Sequence, residues 1–284
     1  MEIVVTKAEL RELLDVARRQ GRRVGLVPTM GALHDGHLSL LRAAARDCDE
    51  VALTVFVNPL QFAAGEDLDA YPRPIGRDLE LAASAGATVA FTPDTVEMYP
   101  RPTATTVHVE GLTASMEGAS RPTHFDGVTT VVAKLLAIAG PCRAYFGEKD
   151  FQQLAVVRRM VADLDLPVTV VGCPIVREPD GLAMSSRNVY LSPAERSAAT
   201  VLSRSLRRGA ELLEGGERDL AAVREQMAAV VGGEPLARLD YAEVVDPDSL
   251  EAPAEVASGT PLRLLVAARL GATRLLDNVG LLVP

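Results

Sequence analysis

His34 and His37 stand three residues apart in the stretch LVPTMGALHDGHLSLLRAA, residues 26–44, of a chain that holds four histidines in all. They fall where a short apolar run gives way to a helical pattern. A helix start leaves backbone N–H groups unpaired and carries partial positive charge, so it favours phosphate. Gly36 lacks a Cβ, which lets a ligand approach the backbone closely. Two imidazoles three apart on a helix share nearly one face and can both donate to phosphate oxygens. Solvent-facing rings on an ordinary turn are the competing explanation, and zinc is a third. No further His, Cys or acid completes an obvious zinc set, and H-E-x-x-H spacing is absent.

Three other stretches set polar groups beside apolar runs. In FGEKDFQQL, residues 146–154, Gly147 gives backbone access, Lys149 brings a positive charge and Asp150 can cap a helix. A plain N-cap beside a surface lysine would read the same way. In GLAMSSRN, residues 181–188, Ser185, Ser186 and Arg187 place two hydroxyls and a guanidinium in one loop. Arginine is a permanent, forked donor and serine an adaptable one, which suits an anion, although polar linkers are also built like this. In FVNPLQF, residues 56–62, Asn58 and Gln61 are neutral amides suited to a small polar substrate, or to closing a turn.

The elements that must position these groups alternate. Thr6 and Glu9 form a capping-box pair, so a first helix spans about 7–20. Strands are expected at 24–30, 50–58, 88–93, 143–147 and 168–174, and helices at 37–48, 75–86, 127–140 and 150–164. Residues 94–124 read as irregular, with a short strand in TVHVEG. Alternation with short connections specifies an α/β fold, a Rossmann-like parallel sheet with helices on both faces. Such sheets bind ligands beyond the carboxyl ends of their strands, where strand order reverses. Met30, Asn58, residues 146–149 and Pro174 all follow expected strand ends, so the candidates share one rim.

Beyond about 175 the style changes. After the polar loop VREPDGLAMSSRN, Ser192, Pro193 and Glu195 make a well-specified helix start. Helices near 193–214 and 217–231 precede strand-like 239–246 and 263–281. The expected division is a nucleotide- and substrate-binding domain over 1–175 and a smaller α+β domain over 176–284.

The totals bound the partners. With 284 residues, 48% hydrophobic and 24% charged, the chain has apolar material for two cores. A formal charge of −9 argues against nucleic acid as a partner but leaves room for a local basic pocket around one phosphorylated ligand. Cys48, Cys142 and Cys173 are widely separated and read as buried thiols of a reducing compartment. Residues 1–20 show no signal-peptide core, and no apolar run nears the roughly 20 residues that cross a bilayer. A cytoplasmic location with no membrane partner is expected.

Taken in order from about residue 24 to 190, PTMGALHDGHLSLL, FVNPLQF, YPR, RPTHFDGV, FGEKDFQQL and DGLAMSSRN resemble the pantothenate synthetase (pantoate–β-alanine ligase) family. The H-x-G-H element alone is shared with the wider nucleotidyltransferase superfamily, whereas its combination with NPLQF and FGEKDFQQL is far more specific. The resemblance implies ATP-dependent condensation of pantoate with β-alanine, through pantoyl adenylate, to pantothenate, AMP and pyrophosphate. It implies an adenylate-binding turn of Met30, Gly31, His34, Gly36 and His37, with both histidines on phosphate and His37 a proton donor. Gly147, Lys149 and Asp150 would meet ATP, Lys149 on phosphate and Asp150 on a ribose hydroxyl, while Val176 would contact adenine. Met184, Ser185, Ser186 and Arg187 resemble a mobile phosphate loop supplied by the second domain. Gln61 and Gln153 would hold pantoate, with Gln61 also near β-alanine and Asn58 close by. The catalytic set implied is His34, His37, Lys149 and Arg187.

Mg²⁺ is expected with ATP, and a homodimer is usual for the family. No protein metal site is assigned, because in RPIGRDL only Asp78 is acidic where some relatives carry an adjacent pair. Two rivals remain at this point: a nucleotidyltransferase that attaches AMP or CMP to a phosphorylated alcohol, and a non-catalytic nucleotide sensor. The first would need a basic cluster around Asn58 and Gln61, and the second would have no use for the amides.

Overall fold

In the computed structural model, which describes residues 1–63, 65, 66 and 68–284, the chain divides into two compact units. The first comprises Met1–Glu148 and Gln152–Pro174, and the second Lys149–Phe151 and Ile175–Pro284. The division after Pro174 falls one residue before the boundary expected from the change in sequence style.

The first unit is built on a six-stranded, wholly parallel sheet. Its strands are β1 (Glu2–Val4), β2 (Val24–Thr29), β3 (Glu50–Val55), β4 (Val89–Phe91), β5 (Cys142–Gly147) and β6 (Val168–Cys173). Their order is β1-β4-β3-β2-β5-β6. Strand order therefore reverses between β2 and β5, where Gly25 and Leu26 register with Arg143 and Ala144. A crevice at the carboxyl ends of this pair is where the topology places ligands. The edge strand β1, parallel to β4, is an addition to the expected set, since three residues are too few to show a period.

Helices α1 (Lys7–Arg19), α2 (Asp35–Asp47), α3 (Ile75–Ser84), α4 (Thr95–Met98), α5 (Glu117–Ser120), α6 (His124–Ala139) and α7 (Phe151–Asp163) connect the strands. Thr6 and Glu9 form the capping box that starts α1. Leu38, Leu41 and Ala44 of α2 pack with Val27, Leu53 and Tyr145 of the sheet in one buried cluster. Burial of this kind contributes about 1.5–3 kcal/mol per large apolar side chain.

The strand expected in TVHVEG does not form. Val107 donates its N–H to Thr130 Oγ1 at 3.0 Å and its carbonyl accepts from Thr129 Oγ1. Side chains of α6 thus take the backbone groups that a neighbouring strand would have taken. Cys48, Cys142 and Cys173 are free thiols; Cys48 and Cys173 are buried and Cys142 half-buried.

In the second unit, α8 (Pro193–Ala198), α9 (Val201–Glu214) and α10 (Leu220–Gly232) accompany an antiparallel sheet of β7 (Ala237–Val245), β8 (Pro261–Leu270) and β9 (Thr273–Leu282). Leu202, Leu206, Val223, Met227, Leu264 and Val266 join its core. The run at 263–281 is a hairpin, turned at Gly271, whose φ of +57° suits a residue without a Cβ. Among the described residues no helix is long and apolar enough to cross a membrane.

Candidate active site

The turn after β2 is held from two directions. Gly31 and Ala32 have φ of +87° and +52°, two left-handed residues in succession, which aim neighbouring N–H groups to one side. The Asp78 carboxylate receives them: Ala32 N–H donates to Oδ2 at 2.8 Å and Leu33 N–H to Oδ1 at 2.8 Å. A Cβ on Gly31 would lie 2.9 Å from Asp78 Oδ2 and 3.0 Å from Val55 Cγ1. Glycine is therefore needed here by the protein's own packing as well as by its backbone conformation.

Farther along, the turn caps itself. His34 is the N-cap of α2, and its Nδ1 accepts the Gly36 N–H at 3.1 Å. His37, three positions on, accepts the His34 N–H on its own Nδ1 at 3.4 Å, completing a capping box made from two imidazoles. A ring whose Nδ1 accepts carries its proton on Nε2 when neutral. The box therefore sets both rings in the tautomer whose Nε2–H is a donor. The rings lie 4.1 Å apart between centroids, tilted by 44°, and both are half-buried.

The turn after β3 is a short 3-10 helix, Pro59–Gln61, with Asn58 as its N-cap. Asn58 is buried and all its amide positions are used. Its Oδ1 accepts from Leu60 N–H at 3.3 Å and from Tyr99 OH at 2.8 Å. Its Nδ2 donates to Gly127 O at 3.0 Å and to Gln61 Oε1 at 3.2 Å. Asn58 thus serves the protein's internal network in this geometry. Gln61 has its Nε2 3.1 Å from the Met30 thioether, a weak acceptor.

Residues of RPTHFDGV hold the Gln61 backbone. Arg121 Nη2 donates to Gln61 O at 3.3 Å, and His124 Nδ1 lies 3.1 Å from the same oxygen, so that nitrogen carries the proton. His124 Nε2 accepts from Arg121 Nη1 at 3.1 Å. Burial, then the neighbouring Arg121 charge, depresses the His124 pKa to about 4. Burial raises the Glu66 pKa, but its hydrogen bond and ion pair with Arg121 more than offset that and hold it below the usual range. At Gly127 a Cβ would sit 2.3 Å from Leu60 O and 2.5 Å from Gln61 N, so α6 lies directly beneath this turn.

Adjacent glutamines on α7 divide between two tasks. Gln152 is buried and fully engaged: Oε1 accepts Glu117 N–H at 2.9 Å, and Nε2 donates to Leu112 O at 2.8 Å and Ser115 O at 2.9 Å. Gln153 is half-buried and makes no hydrogen bond from its amide to the described residues.

Lys149 and Asp150 belong to a 3-10 turn, Glu148–Asp150, between β5 and α7, with Lys149 Nζ 3.6 Å from Asp150 Oδ1. The Lys149 carbonyl accepts from Asn278 Nδ2 at 2.7 Å, and the Arg263 guanidinium lies 4.0 Å from the centroid of the Phe151 ring. These contacts group residues 149–151 with the second unit, a division not visible in the sequence.

Within the second unit, Val176 and Met184 face each other across a loop, Met184 N–H donating to Val176 O at 3.0 Å. Arg177 closes that loop from behind with a bidentate pair to buried Asp277, at 2.6 and 2.9 Å. Ser185 caps the 3-10 turn Ser186–Tyr190, its Oγ accepting the Arg187 N–H at 3.3 Å. These bonds set the local conformation of the loop.

Sequence reading missed Tyr99, Arg121, His124 and Gln152 as supporting residues. It left Asp78 as a doubtful metal ligand. Each Asp78 oxygen accepts one backbone N–H, so the carboxylate staples the turn after β2. Among the described residues no group of three His, Cys, Asp or Glu could hold a metal ion.

A parallel sheet reversing at β2, with H-x-G-H capping the helix that follows, defines a Rossmann-like enzyme of the nucleotidyltransferase superfamily. A family model for pantoate-beta-alanine ligase matches residues 2–280. The pantothenate synthetase of Heliobacterium modesticaldum is 58% identical over 261 residues, 92% of each chain. That of Sinorhizobium medicae is 51% identical over 278 residues, covering 98% of this chain and 95% of its own. The crystal structure of pantothenate synthetase from Thermus thermophilus superposes with a TM-score of 0.92 at 50% identity, covering 98% of this chain and 99% of that one. Pantoate-beta-alanine ligase from Francisella tularensis, complexed with beta-gamma ATP and beta-alanine, gives a TM-score of 0.80 at 31% identity, with 98% and 97% covered. The chain belongs to the pantoate–β-alanine ligase family.

Proposed function

We infer that the chain joins pantoate to β-alanine at the expense of ATP, giving pantothenate, AMP and pyrophosphate. A carboxylate has no good leaving group, so amide formation requires its activation. A pantoate carboxylate oxygen attacks the α-phosphorus of ATP, the bond to pyrophosphate breaks, and pantoyl adenylate forms. The β-alanine amine then attacks the acyl carbon, AMP departs, and the amine gives up a proton. Neither step needs a protein nucleophile, so the protein contributes orientation and charge stabilisation.

The observation that carries this reading is the double-imidazole capping box at the end of β2, on the switch point of a family-typical sheet. Its two Nε2–H donors suit the phosphates, His37 acting as proton donor to the leaving group. Met30, Gly31 and Gly36 complete that turn. Lys149, Ser185, Ser186 and Arg187 are assigned to the phosphates, Gly147 and Asp150 to the nucleotide and its ribose, and Val176 and Met184 to adenine. Gln61 and Gln153 are assigned to pantoate, Gln61 also to β-alanine. Asn58 supports Gln61 from behind, a role its saturated amide favours. Mg²⁺ would travel with the ATP phosphates. The proposed setting is cytoplasmic and homodimeric, with small molecules as the partners.

Pyrophosphate exchange separates the half-reactions. With ATP, Mg²⁺ and pantoate but no β-alanine, labelled pyrophosphate should enter ATP; adding β-alanine should divert the intermediate to pantothenate and AMP. Release of ADP and phosphate would sink the adenylate route. Exchange that proceeds without pantoate would point to a simpler nucleotidyltransferase, and absence of exchange to a sensor.

A further inference from the structure

Tyr99 is linked to the Gln61 amide through one intermediary, Asn58. Asn58 is bracketed by two backbone groups of fixed polarity, the Leu60 N–H on its oxygen side and the Gly127 carbonyl on its nitrogen side. Its amide therefore has one orientation. Because Nδ2 faces Gln61, the Gln61 group accepting from it is Oε1, and Nε2 is turned toward Met30. Of the two donors on Asn58 Oδ1, Tyr99 OH at 2.8 Å is the shorter bond and Leu60 N–H at 3.3 Å the longer. Tyr99 is itself fixed beside Phe56, with ring centroids 6.0 Å apart, and under Lys134 Nζ at 5.2 Å. Burial pushes its hydroxyl up to about 12, so it stays a donor at neutral pH.

We propose that Tyr99 is a positioning residue for substrate recognition: its bond to Asn58 Oδ1 reinforces the orientation in which Gln61 presents an N–H donor, so that Gln61 selects an oxygen acceptor, a carboxylate or hydroxyl, and rejects an ammonium. The proposal rests on the reading of Gln61 as a substrate contact. Met30 sulfur is a poor acceptor, so a substrate oxygen replacing or supplementing it gains a full hydrogen bond. Were the Gln61 amide reversed, its carbonyl would confront that oxygen and repel it.

Four variants test this by KM for pantoate and for ATP in pyrophosphate exchange. Tyr99→Phe should raise the pantoate KM about threefold to tenfold and leave the ATP KM alone, the loss of one supporting hydrogen bond. Asn58→Asp should do more, about 10- to 100-fold, because the new oxygen accepts from Gln61 Nε2 and turns Oε1 outward. Adding Tyr99→Phe to Gln61→Ala should change nothing further, since the group it positions is gone. A pantoate KM within twofold of wild type in Tyr99→Phe overturns the proposal. So does an equal rise for ATP, or a full Tyr99→Phe effect in the Gln61→Ala background. If Asn58→Asp does not fold, the Tyr99→Phe cycle decides alone. A normal pantoate KM in Gln61→Ala overturns the substrate reading itself, and with it this proposal. A defective Gln61→Ala beside a normal Tyr99→Phe overturns only the positioning.

Discussion

The turn after β2 carries most of its own hydrogen-bond acceptors, while the turn after β3 borrows its order from distant residues. His34 and His37 cap α2 within four residues of one another, and the Asp78 carboxylate reaches in from elsewhere. Gln61, by contrast, is oriented by Asn58 and its backbone is held by Arg121 and His124, with Tyr99 and Gly127 beyond. Local capping leaves the imidazole Nε2 donors defined by a short piece of chain. The amide turn has a local cap in Asn58, but the other partners of that amide lie far along the chain. Its polarity follows from a buried network, in which each unpaired group would cost about 1–3 kcal/mol.

The largest effect should come from the self-capped turn. His37→Ala should lower pantoate-dependent exchange by about 10²–10³-fold, the scale of one preorganised donor to developing charge. The fold should persist, since the other bond of the capping box, Gly36 N–H to His34 Nδ1, remains. Near-normal exchange in this variant would remove His37 from the chemistry and leave the capping box purely structural.

Acid should break the borrowed turn selectively. The folded pKa of His124, about 4, lies below its ordinary value of 6.5. Between these values the unfolded chain binds a proton that the folded chain refuses, so stability falls as pH falls through the window and is fully present above it. The contribution is on the order of 3 kcal/mol. Urea midpoints measured from pH 7 down to 4 should drop less steeply in His124→Asn than in wild type. Parallel curves would show that His124 titrates normally.

Asp78 sharpens the comparison from the other side, with the smallest expected change. Asp78→Asn turns an amide nitrogen toward one of two backbone donors, and should cost about 1–3 kcal/mol in denaturant unfolding. The Mg²⁺ concentration needed for half-maximal exchange should stay where it is in wild type. A raised Mg²⁺ requirement with unchanged stability would make Asp78 a metal ligand after all.

Much of this protein was legible in one dimension because it depends on local rules. Continuous apolar runs at β2 and β3, short connections and helix-start residues specify a parallel sheet with a rim of strand ends, and the motifs single out the rim residues. The same rules explain why His34 could be expected at a helix start: its cap partners lie two and three residues away. TVHVEG shows their limit, because its alternation was satisfied by Thr129 and Thr130 hydroxyls rather than by a strand.

Tertiary structure decided what the polar groups do. Gln152 and Gln153 are chemically identical neighbours, yet a helix rotates successive side chains by about 100°. One meets three backbone groups of residues 112–117, and the other meets none. Asp78 stands 45 residues from Leu33, and His124 stands 63 from Gln61. Periodicity carries no information over such distances. Which carboxylate staples a backbone, and which way an amide points, depend on groups that only folding brings within hydrogen-bonding distance. The sequence by itself determined the sheet, its rim and the chemistry available there; the orientation of that chemistry came from packing, because hydrogen-bond polarity is set by neighbours in space.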